Sequence, residues 1–285
     1  MVEICIVYDK IRFEERALND KISQKGHKPS LVDGKNLVFD TEFDSDKDEF
    51  GDIVLQRQIS HFRGLFVTFC LENTGINVVN SFKVSEICGN KLITSSILAK
   101  NNVPTPKTRF VFSSETAMDE MENFGYPLVI KPIVGSWGRG VYQITNRQMA
   151  RMLVENRDEN QGVFSKIYYI QKEVKRPSRD IRCIVAGNSV IASVYRYSAE
   201  KEWRTNVAIG GRTEEAKLTK QLEDTVLKAA ASVGGGILGV DLMEDEEEGL
   251  VVHEINNTVE FRGAASVCKF DIPGGMVDYL ISLTK

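Results

Sequence analysis

Two acidic residues near the end of the chain, Asp241 and Glu254, have a spacing that can bring two carboxylates together. Each lies in an apolar run, and the two runs flank an acidic turn at residues 244–249. This pattern predicts a β-hairpin with arms at residues 237–243 and 250–255. The hairpin decides whether the two acids meet or stay apart.

If the turn centres on Glu247 and Glu248, Asp241 faces Glu254 across the hairpin, with side chains about 5 Å apart. Asn256 lies on the same face, because side chains along a strand alternate. Like charges directly opposite each other are destabilising, so these side chains predict a bound cation. Ligation by oxygen alone favours Mg²⁺ over zinc. The alternative is a pair of solvent-facing acids on a surface hairpin.

A lysine and a glycine-rich loop form a second candidate site. Lys131 ends an apolar strand, and the loop that follows it consists of Gly135, Ser136, Trp137, Gly138, Arg139 and Gly140. Glycines let backbone N–H groups approach phosphate oxygens, and the lysine adds a positive charge. Lys91 opens a helix, whose N-terminus also favours phosphate. The alternatives are an ordinary hairpin turn and a solvated lysine, since neither a Walker motif nor the kinase motifs occur.

Arginines interrupt the apolar strands of the last third of the chain. Arg182 lies in strand alternation among apolar residues, so its charge is predicted to face a cleft or a partner. Arg196 and the polar segment 203–206 have the same character. Together with two lysines and a carboxylate pair, they favour nucleotide triphosphate chemistry. The basic cluster at 172–182, with five Lys or Arg, can also be a solvated face.

Other classes of protein are not expected. The three histidines lack H-x-x-x-H spacing, and strand alternation places His253 on the face opposite the acids, in a structural role. No G-x-S-x-G elbow of a serine hydrolase occurs. The net charge of -4 and pI near 5.6 predict no nucleic-acid partner. The five cysteines show no C-x-x-C pair, and no signal-like start or long apolar run occurs, so we expect a cytoplasmic protein with no membrane partner.

Three regions must position these residues, and together they predict an α/β (α+β) protein. Residues 1–82 alternate strands and helices, which indicates a parallel α/β domain, although no G-x-G-x-x-G follows the first strand. Residues 83–166 read as a compact α+β unit that carries the glycine loop. Residues 167–285 are rich in strands, with one long helix at 218–233.

Taken in order, these motifs resemble the ATP-grasp carboxylate-amine ligases. The resemblance covers nearly the whole chain and is closest to the RimK, LysX and ArgX group. It rests on the ordered set Asn90-Lys91, Pro127 to Pro132, Gly135 to Gly140, Gln171 to Val174, Arg179 to Arg182, Asp241, and Glu254 to Asn256. It implies an ATP-grasp fold with an N-terminal parallel α/β domain (1–82), a central lid domain (83–166) and a C-terminal domain (167–285), with ATP between the last two.

The resemblance also implies a role for each matching residue. The ATP-binding set is Lys91, Lys131, Gly135, Ser136, Trp137, Gly138, Gln171, Lys172, Glu173, Val174 and Arg182. The catalytic set is Arg182, Asn206 and Lys131. The metal set is Asp241, Glu254 and Asn256, which hold Mg²⁺, with two ions expected. The substrate set is Arg196, Asn206, Asn257, Glu260, Arg262, Gly263 and Ala264.

The implied reaction uses ATP to activate the C-terminal glutamate side chain of the small acidic carrier protein LysW as an acyl phosphate. The amine of an amino acid then attacks to form an isopeptide bond. Lysine-branch enzymes resemble E-F-K-N where this chain has Glu260-Phe261-Arg262-Gly263-Ala264, so L-glutamate is favoured over α-aminoadipate. The alternatives are an α-aminoadipate or bifunctional ligase, a RimK-like protein ligase, and a non-catalytic nucleotide-binding module.

Two further expectations follow from the resemblance. The first is a homodimer or homotetramer. The second concerns Gly140, where the family pattern has a larger apolar residue after Ser-Trp-Gly-Arg. This departure affects the packing of the loop more than its chemistry.

Overall fold

The computed structural model describes residues 1–42, 49–160, 162–198 and 212–284. Asn206 and the rest of the polar segment 203–206 lie outside the described residues. Within the described ranges the chain forms three sheets, and helices pack against each of them. The α/β class expected from the sequence is confirmed.

The N-terminal sheet is parallel and has the strand order β2-β1-β3-β4. Its strands are β1 (Glu3–Tyr8), β2 (Lys28–Asp33), β3 (Ile53–Gln56) and β4 (Val78–Val79). Its helices are α1 (Phe13–Gln24), α2 (His61–Asn73) and α3 (Phe82–Cys88). At the start of helix α1 the backbone N–H of Arg12 donates to the Glu15 carboxylate at 2.8 Å, and the helix buries Leu18 and Ile22 against the sheet. The predicted parallel layer is confirmed.

The central sheet is antiparallel and has the strand order β5-β8-β6-β7. Its strands are β5 (Thr108–Val111), β6 (Leu128–Lys131), β7 (Tyr142–Ile144) and β8 (Tyr168–Lys172). Its helices are α5 (Ser114–Phe124) and α6 (Arg147–Glu159). Ser113 caps α5 by accepting from the N–H of Thr116. Strand β8 pairs within this sheet, although it follows the proposed boundary at residue 166.

The C-terminal sheet is antiparallel and has the strand order β11-β10-β9-β12-β13. Its strands are β9 (Arg179–Ala186), β10 (Ser189–Tyr197), β11 (Thr213–Glu215), β12 (Ile237–Asp245) and β13 (Gly249–Asn256). The remaining helices are α4 (Lys91–Lys100), α7 (Lys220–Ser232), α8 (Arg262–Ala265) and α9 (Ile272–Ser282). Leu98 of α4 shares a core with Val226 and Val252, so α4 packs on this sheet, and Ser95 of the same helix bonds to the hydroxyl of Tyr169 in the central sheet at 2.7 Å.

Helix α9 corrects the prediction of one long helix in the last third. Pro273, Gly274 and Gly275 stand at its start, and such residues indicate a turn when read alone. Asp271 caps the helix through the N–H of Gly274, and Met276, Val277 and Leu280 bury its apolar face. Tertiary burial therefore overrides the local signal. In the described ranges, no helix is long and apolar enough to cross a membrane.

Candidate active site

The predicted hairpin is present, and Asp241 lies directly opposite Glu254. The turn differs from the prediction, because Asp245 pairs with Gly249 and leaves a loop of residues 246–248. The carboxylate of Asp245 accepts from the backbone N–H groups of residues 247 and 248 at 2.8 Å each. The register then shifts between Asp241 and Leu242, and His253 is the unpaired residue of the bulge. The bulge compensates for the longer turn.

The bulge also corrects the prediction for His253. His253 lines the same cavity as Asp241 and Glu254, whereas simple alternation places its side chain on the opposite face. Both ring nitrogens are shielded from solvent and have no hydrogen-bond partner among the described residues. Burial, followed by the charge of Lys131, holds the pKa of His253 well below its ordinary value. The ring is therefore neutral at pH 7.

A single cavity of about 880 Å³ collects most of the predicted site. From the metal set it is lined by Asp241, Glu254 and Asn256, and from the ATP set by Lys91, Lys131, Gly135, Ser136, Trp137, Gly138 and Arg182. From the substrate set it is lined by Arg196, Asn257, Glu260, Arg262, Gly263 and Ala264. Residues far apart in sequence therefore meet at the junction of the three sheets.

Arginines neutralise the buried carboxylate of Asp241. Arg182 donates to both of its oxygens at 2.7 Å, and Arg196 approaches one oxygen at 3.1 Å. Arg196 is itself buried and donates to both oxygens of Asp180 at 2.7 Å. Burial raises the pKa of Asp241, but the two guanidinium charges outweigh it and hold the pKa well below its usual range.

These ion pairs offset the repulsion between the two carboxylates from which the sequence predicts a bound cation. The facing carboxylates have positive partners already, since Glu254 pairs with Lys91 at 3.2 Å. No group of three or more His, Cys, Asp or Glu side chains suitable for a metal comes together in the part of the chain that the structure describes. Mg²⁺ is usually held by one or two carboxylates, waters and substrate phosphates. Asp241, Glu254 and the amide oxygen of Asn256 fit that donor set.

The two predicted phosphate lysines reach the cavity from different elements. Lys91 stands at the first position of α4, where Asn90 caps the helix, and its Nζ donates to the carbonyl of Gly135 at 2.7 Å. Lys131 ends β6 and donates to Oε1 of Gln171 at 2.7 Å. Burial lowers the pKa of Lys131 to about 8, against the opposing effect of Glu254. Lys131 is therefore largely charged at pH 7 and ready to bind an anion.

The glycine loop has a left-handed backbone at three positions. Trp137 has φ 57°, Gly138 has φ 67° and Gly140 has φ 69°. The departure from the family pattern at Gly140 has a physical reason here, because this conformation is strained for residues with a Cβ. Arg139 lies over the ring of Trp137, which is 41% exposed. The loop therefore presents an open aromatic edge and closely spaced backbone groups to the cavity.

Residues 171–174 of the predicted ATP-binding set, for which the resemblance implies contact with adenine, lie apart from this cavity. The side chain of Gln171 is buried and bonded to Lys131 and to the hydroxyl of Tyr169. Lys172, Glu173 and Val174 line a separate cleft of about 30 Å³ beside the acidic turn of the hairpin. Their ATP-binding role stays a prediction.

The N-terminal sheet contributes cavity residues that the sequence did not reveal. They include Arg12, Gln56, Gln58 and His61, all near the carboxyl ends of β1 and β3. Arg12 bonds to Glu260 at 2.8 Å, and Glu14 accepts from the backbone N–H of Arg262 at 3.1 Å. The carboxyl ends of parallel strands are the usual ligand-binding edge. That rule, applied to the predicted strands, is the signal that could have found them.

Comparison with known proteins places the chain in a family. Residues 88–280 match the RimK-like ATP-grasp domain, and residues 4–87 match the LysX preATP-grasp domain. This chain belongs to the RimK-like ATP-grasp ligases. ATP-grasp ligases in general use ATP and Mg²⁺, which agrees with the donor set and the lysines of the cavity. The boundary between the two matches falls at the end of α3.

Three known proteins illustrate the similarity. The α-aminoadipate–LysW ligase LysX of Saccharolobus solfataricus is 36% identical over 92% of this chain and 94% of its own length. The glutamate–LysW ligase ArgX of Sulfolobus acidocaldarius is 33% identical over 80% of this chain and 81% of its own. The crystal structure of a RimK domain ATP-grasp protein from Sphaerobacter thermophilus has a TM-score of 0.81 at 21% identity, covering 98% of this chain and 99% of that one. The predicted ATP-grasp fold is confirmed.

Proposed function

We propose that this chain is a ligase that joins the α-amino group of L-glutamate to the C-terminal glutamate side chain of the carrier protein LysW. The observation that carries the proposal is the meeting of Asp241, Glu254 and Asn256 with Lys91 and Arg182 in one cavity. The names of the relatives supply the carrier, since LysX and ArgX both act on LysW by name. ATP and two Mg²⁺ ions are the proposed cofactors.

The proposed reaction has two steps. A carboxylate oxygen of the carrier's terminal glutamate attacks the γ-phosphorus of ATP, the bond to ADP breaks, and an acyl phosphate forms. The amine of the amino acid then attacks the acyl carbon, phosphate leaves, and a proton is lost from nitrogen. When bound, Mg²⁺ neutralises the phosphate oxygens during transfer. Lys91, Lys131 and Arg182, which line the cavity, would hold those oxygens in position.

Arg182 has a second task in this proposal. Its guanidinium is held by both oxygens of Asp241, and the side chain, which is 17% exposed, lines the cavity. A bidentate pair fixes the plane of the guanidinium, so the remaining N–H groups point in a defined direction. We assign Arg182 and Asn206 to the transferring phosphoryl and acyl groups, with Asn206 lying outside the described residues.

The carrier is proposed to approach the basic cluster that begins at β8. Lys172 and Lys175 lie near Glu247, at 3.9 and 3.4 Å, and Arg179 pairs with Glu244 at 2.7 Å. The acidic hairpin turn therefore partly neutralises the cluster. An acidic carrier would compete with Glu247 for these lysines. Charge attraction to the cluster should therefore affect the association rate of the carrier more than its final affinity.

We also propose that the protein is a homodimer or homotetramer in the cytoplasm.

The choice of amino acid is assigned to the segment after β13. Arg262 and Gly263 line the cavity, and the Arg262 guanidinium has no bonded partner within the described ranges, so it is open to the side-chain carboxylate of L-glutamate. A Cβ at position 263 would lie 3.2 Å from Oγ1 of Thr213, so a larger residue in place of Gly263 would narrow the pocket at that point. α-Aminoadipate is the second candidate, because relatives named for it reach 36% identity.

One assay tests both levels of the proposal. ADP release is measured with L-glutamate or α-aminoadipate, each with and without LysW. We expect turnover only with the carrier and a higher kcat/KM for L-glutamate. Turnover independent of the carrier would refute the assignment to LysW. Faster reaction with α-aminoadipate would leave the ligase assignment intact and refute the choice of amino acid.

A variant at position 263 sharpens the second test. Gly263→Asn introduces the asparagine of the lysine-branch pattern E-F-K-N. The ratio of kcat/KM for α-aminoadipate to that for L-glutamate should rise by about tenfold. Gly263→Ala adds the Cβ without the amide and serves as the matched control. A similar loss for both amino acids in both variants would show that position 263 affects only the shape of the pocket.

A further inference from the structure

The segment that follows β13, residues 257–262, is held by side chains that lie just beyond the carboxyl ends of β1, β3 and β4. Asn80 donates to the carbonyl of Asn257 at 2.7 Å, Arg57 to the carbonyl of Val259 at 2.7 Å and Arg12 to Glu260 at 2.8 Å, and Glu14 accepts from the backbone N–H groups of Phe261 and Arg262 at 3.2 and 3.1 Å. Each bond joins residues at least 177 positions apart. The N-terminal region therefore determines the path of this segment.

Glu14 is the member of this set that lines the cavity and also bonds to main-chain atoms of the segment. It is 4% exposed, and a single carboxylate oxygen, Oε1, accepts from both N–H groups. These two groups open α8, where Phe261 makes no side-chain cap of its own. A helix of one turn is not stable alone, so its start depends on an outside partner. The orientation in which Arg262 and Gly263 meet the cavity therefore depends on Glu14.

The charges around Glu14 are balanced without it. Glu15, which is fully buried, pairs with Arg12 at 2.9 Å and with Arg57 at 3.1 Å. Glu14 lies in the first turn of α1, where the helix N-terminus also favours a carboxylate. A change at Glu14 therefore leaves both arginines with a partner. Its main consequence should fall on the two N–H groups that it binds.

The position of Arg262 decides which amino acid fits. In the proposed function its guanidinium binds the side-chain carboxylate of the amino acid, and L-glutamate and α-aminoadipate differ by one methylene. A pocket with fixed walls distinguishes one methylene by about ten- to two hundredfold. If the backbone of Arg262 can shift, the guanidinium can follow the longer or the shorter substrate, and this discrimination is lost.

We propose that Glu14 is a positioning residue that sets the choice of amino acid through Arg262. The proposal rests on the proposed function for the contact between Arg262 and the substrate carboxylate. In this role Glu14 touches no reacting atom. It fixes the main chain from which Arg262 and Gly263 reach the cavity.

Two variants separate the reach of Glu14 from its charge. Glu14→Gln keeps the length and an acceptor oxygen but removes the charge, whereas Glu14→Asp keeps the charge and is one methylene too short to reach both N–H groups. Carrier-dependent ADP release gives kcat/KM for L-glutamate and for α-aminoadipate. The ratio of the two should fall toward one by about tenfold in Glu14→Asp and stay within about twofold in Glu14→Gln, with KM for ATP unchanged in both. Lys25→Met, which breaks a pair of 2.8 Å between α1 and α9, is the control and should not change the ratio.

Hydrogen exchange measured on a peptide covering residues 259–266 supplies a second readout. Exchange should be faster in Glu14→Asp than in the unmodified protein and unchanged in Glu14→Gln. Because the ratio is measured within one preparation, a smaller folded fraction in a variant affects both of its numbers equally. An unchanged ratio in Glu14→Asp would refute the proposal, whether or not exchange becomes faster. Loss of the ratio in Glu14→Gln alone would also refute it, because the charge and not the reach would then set the preference.

The same measurements distinguish this proposal from the proposed function. If Glu14→Asp loses the ratio although turnover needs no carrier, or although α-aminoadipate is the preferred substrate, the role of Glu14 stands and the corresponding part of the proposed function fails. If the unmodified protein prefers L-glutamate with the carrier and Glu14→Asp keeps that preference, only the role of Glu14 fails. Absence of ADP release with both amino acids in the unmodified protein would refute both.

Discussion

Replacing Arg196 by methionine separates two roles for this arginine. Methionine retains much of the side-chain volume and removes the guanidinium. In the structure, Arg196 makes two bonds of 2.7 Å to Asp180 and one contact of 3.1 Å to Asp241. Its side chain is 7% exposed and that of Asp180 only 2%. The sequence predicts a substrate-binding arginine, but this geometry describes a buried clamp between two carboxylates.

The expected loss follows from what remains after the substitution. Removing one partner of a buried ion pair costs about 3–5 kcal/mol, because the other charge stays buried. Asp241 keeps its bidentate pair with Arg182, so we expect the lower end, about 3 kcal/mol. The folded pKa of Asp241 lies below its unfolded value. The stabilisation of Asp241 is therefore present above about pH 4 and is lost as the pH falls through the folded pKa.

Urea unfolding followed by circular dichroism measures this loss at pH 7, and KM for the amino acid is measured beside it. Asp180→Asn combined with Arg196→Met should recover part of the stability, since it also removes the buried carboxylate that Arg196 neutralises. Arg151→Met, which breaks a pair at the exposed surface of α6, should leave stability unchanged. A stability loss under about 1 kcal/mol, together with a large rise in KM, would refute the clamp and favour direct substrate binding.

Two further predictions concern the nucleotide end of the cavity. The pKa of Lys131 is about 8 and phosphate favours its ammonium form, so ATP affinity should fall as the pH rises above 8, with proton uptake on binding. Lys131→Arg should bind ATP with little dependence on pH between 7.5 and 9.5, and parallel profiles for both proteins, measured by calorimetry, would refute this role. Glu254→Gln should raise the Mg²⁺ concentration for half-maximal ADP release by about tenfold or more, and the exposed Glu246→Gln should not. An unchanged Mg²⁺ requirement in Glu254→Gln would place the metal elsewhere.

Local pattern was enough to predict the layers of this fold. The alternation of strands and helices predicted the parallel sheet of the N-terminal region, and the resemblance of the ordered motifs to the ATP-grasp ligases implied the ATP-grasp fold. Pattern failed where tertiary contacts decide the outcome. Helix α9 forms despite Pro273 and two glycines because it buries Met276 and Leu280. The sequence does not reveal Gln58, because a buried amide without a hydrogen-bond partner among the described residues can be recognised only once its neighbours are placed.

The same limit applies to the charges of the site, which depend on strand register. In the β9–β10 hairpin, Ala186 pairs with Ser189 next to the turn, and that register, continued unchanged, would place Asp180 opposite Tyr195. A shift between residues 190 and 192 moves the pairing by one residue, and Asp180 then faces Arg196. A one-residue change exchanges the side chains that meet. The clamp therefore exists because of the bulge.

The β12–β13 hairpin uses the same device. Its turn pairs Asp245 with Gly249, and that register, continued along the strands, would place Asp241 opposite His253. The bulge leaves His253 unpaired and brings Glu254 opposite Asp241. The sequence-based prediction paired Asp241 with Glu254 correctly only because it assumed a turn one residue shorter than the observed one. This error offsets the one-residue shift of the bulge. Each bulge lies between a turn and the cavity, so turn length in this sheet can vary while the facing charges are kept, provided that the bulge varies with it.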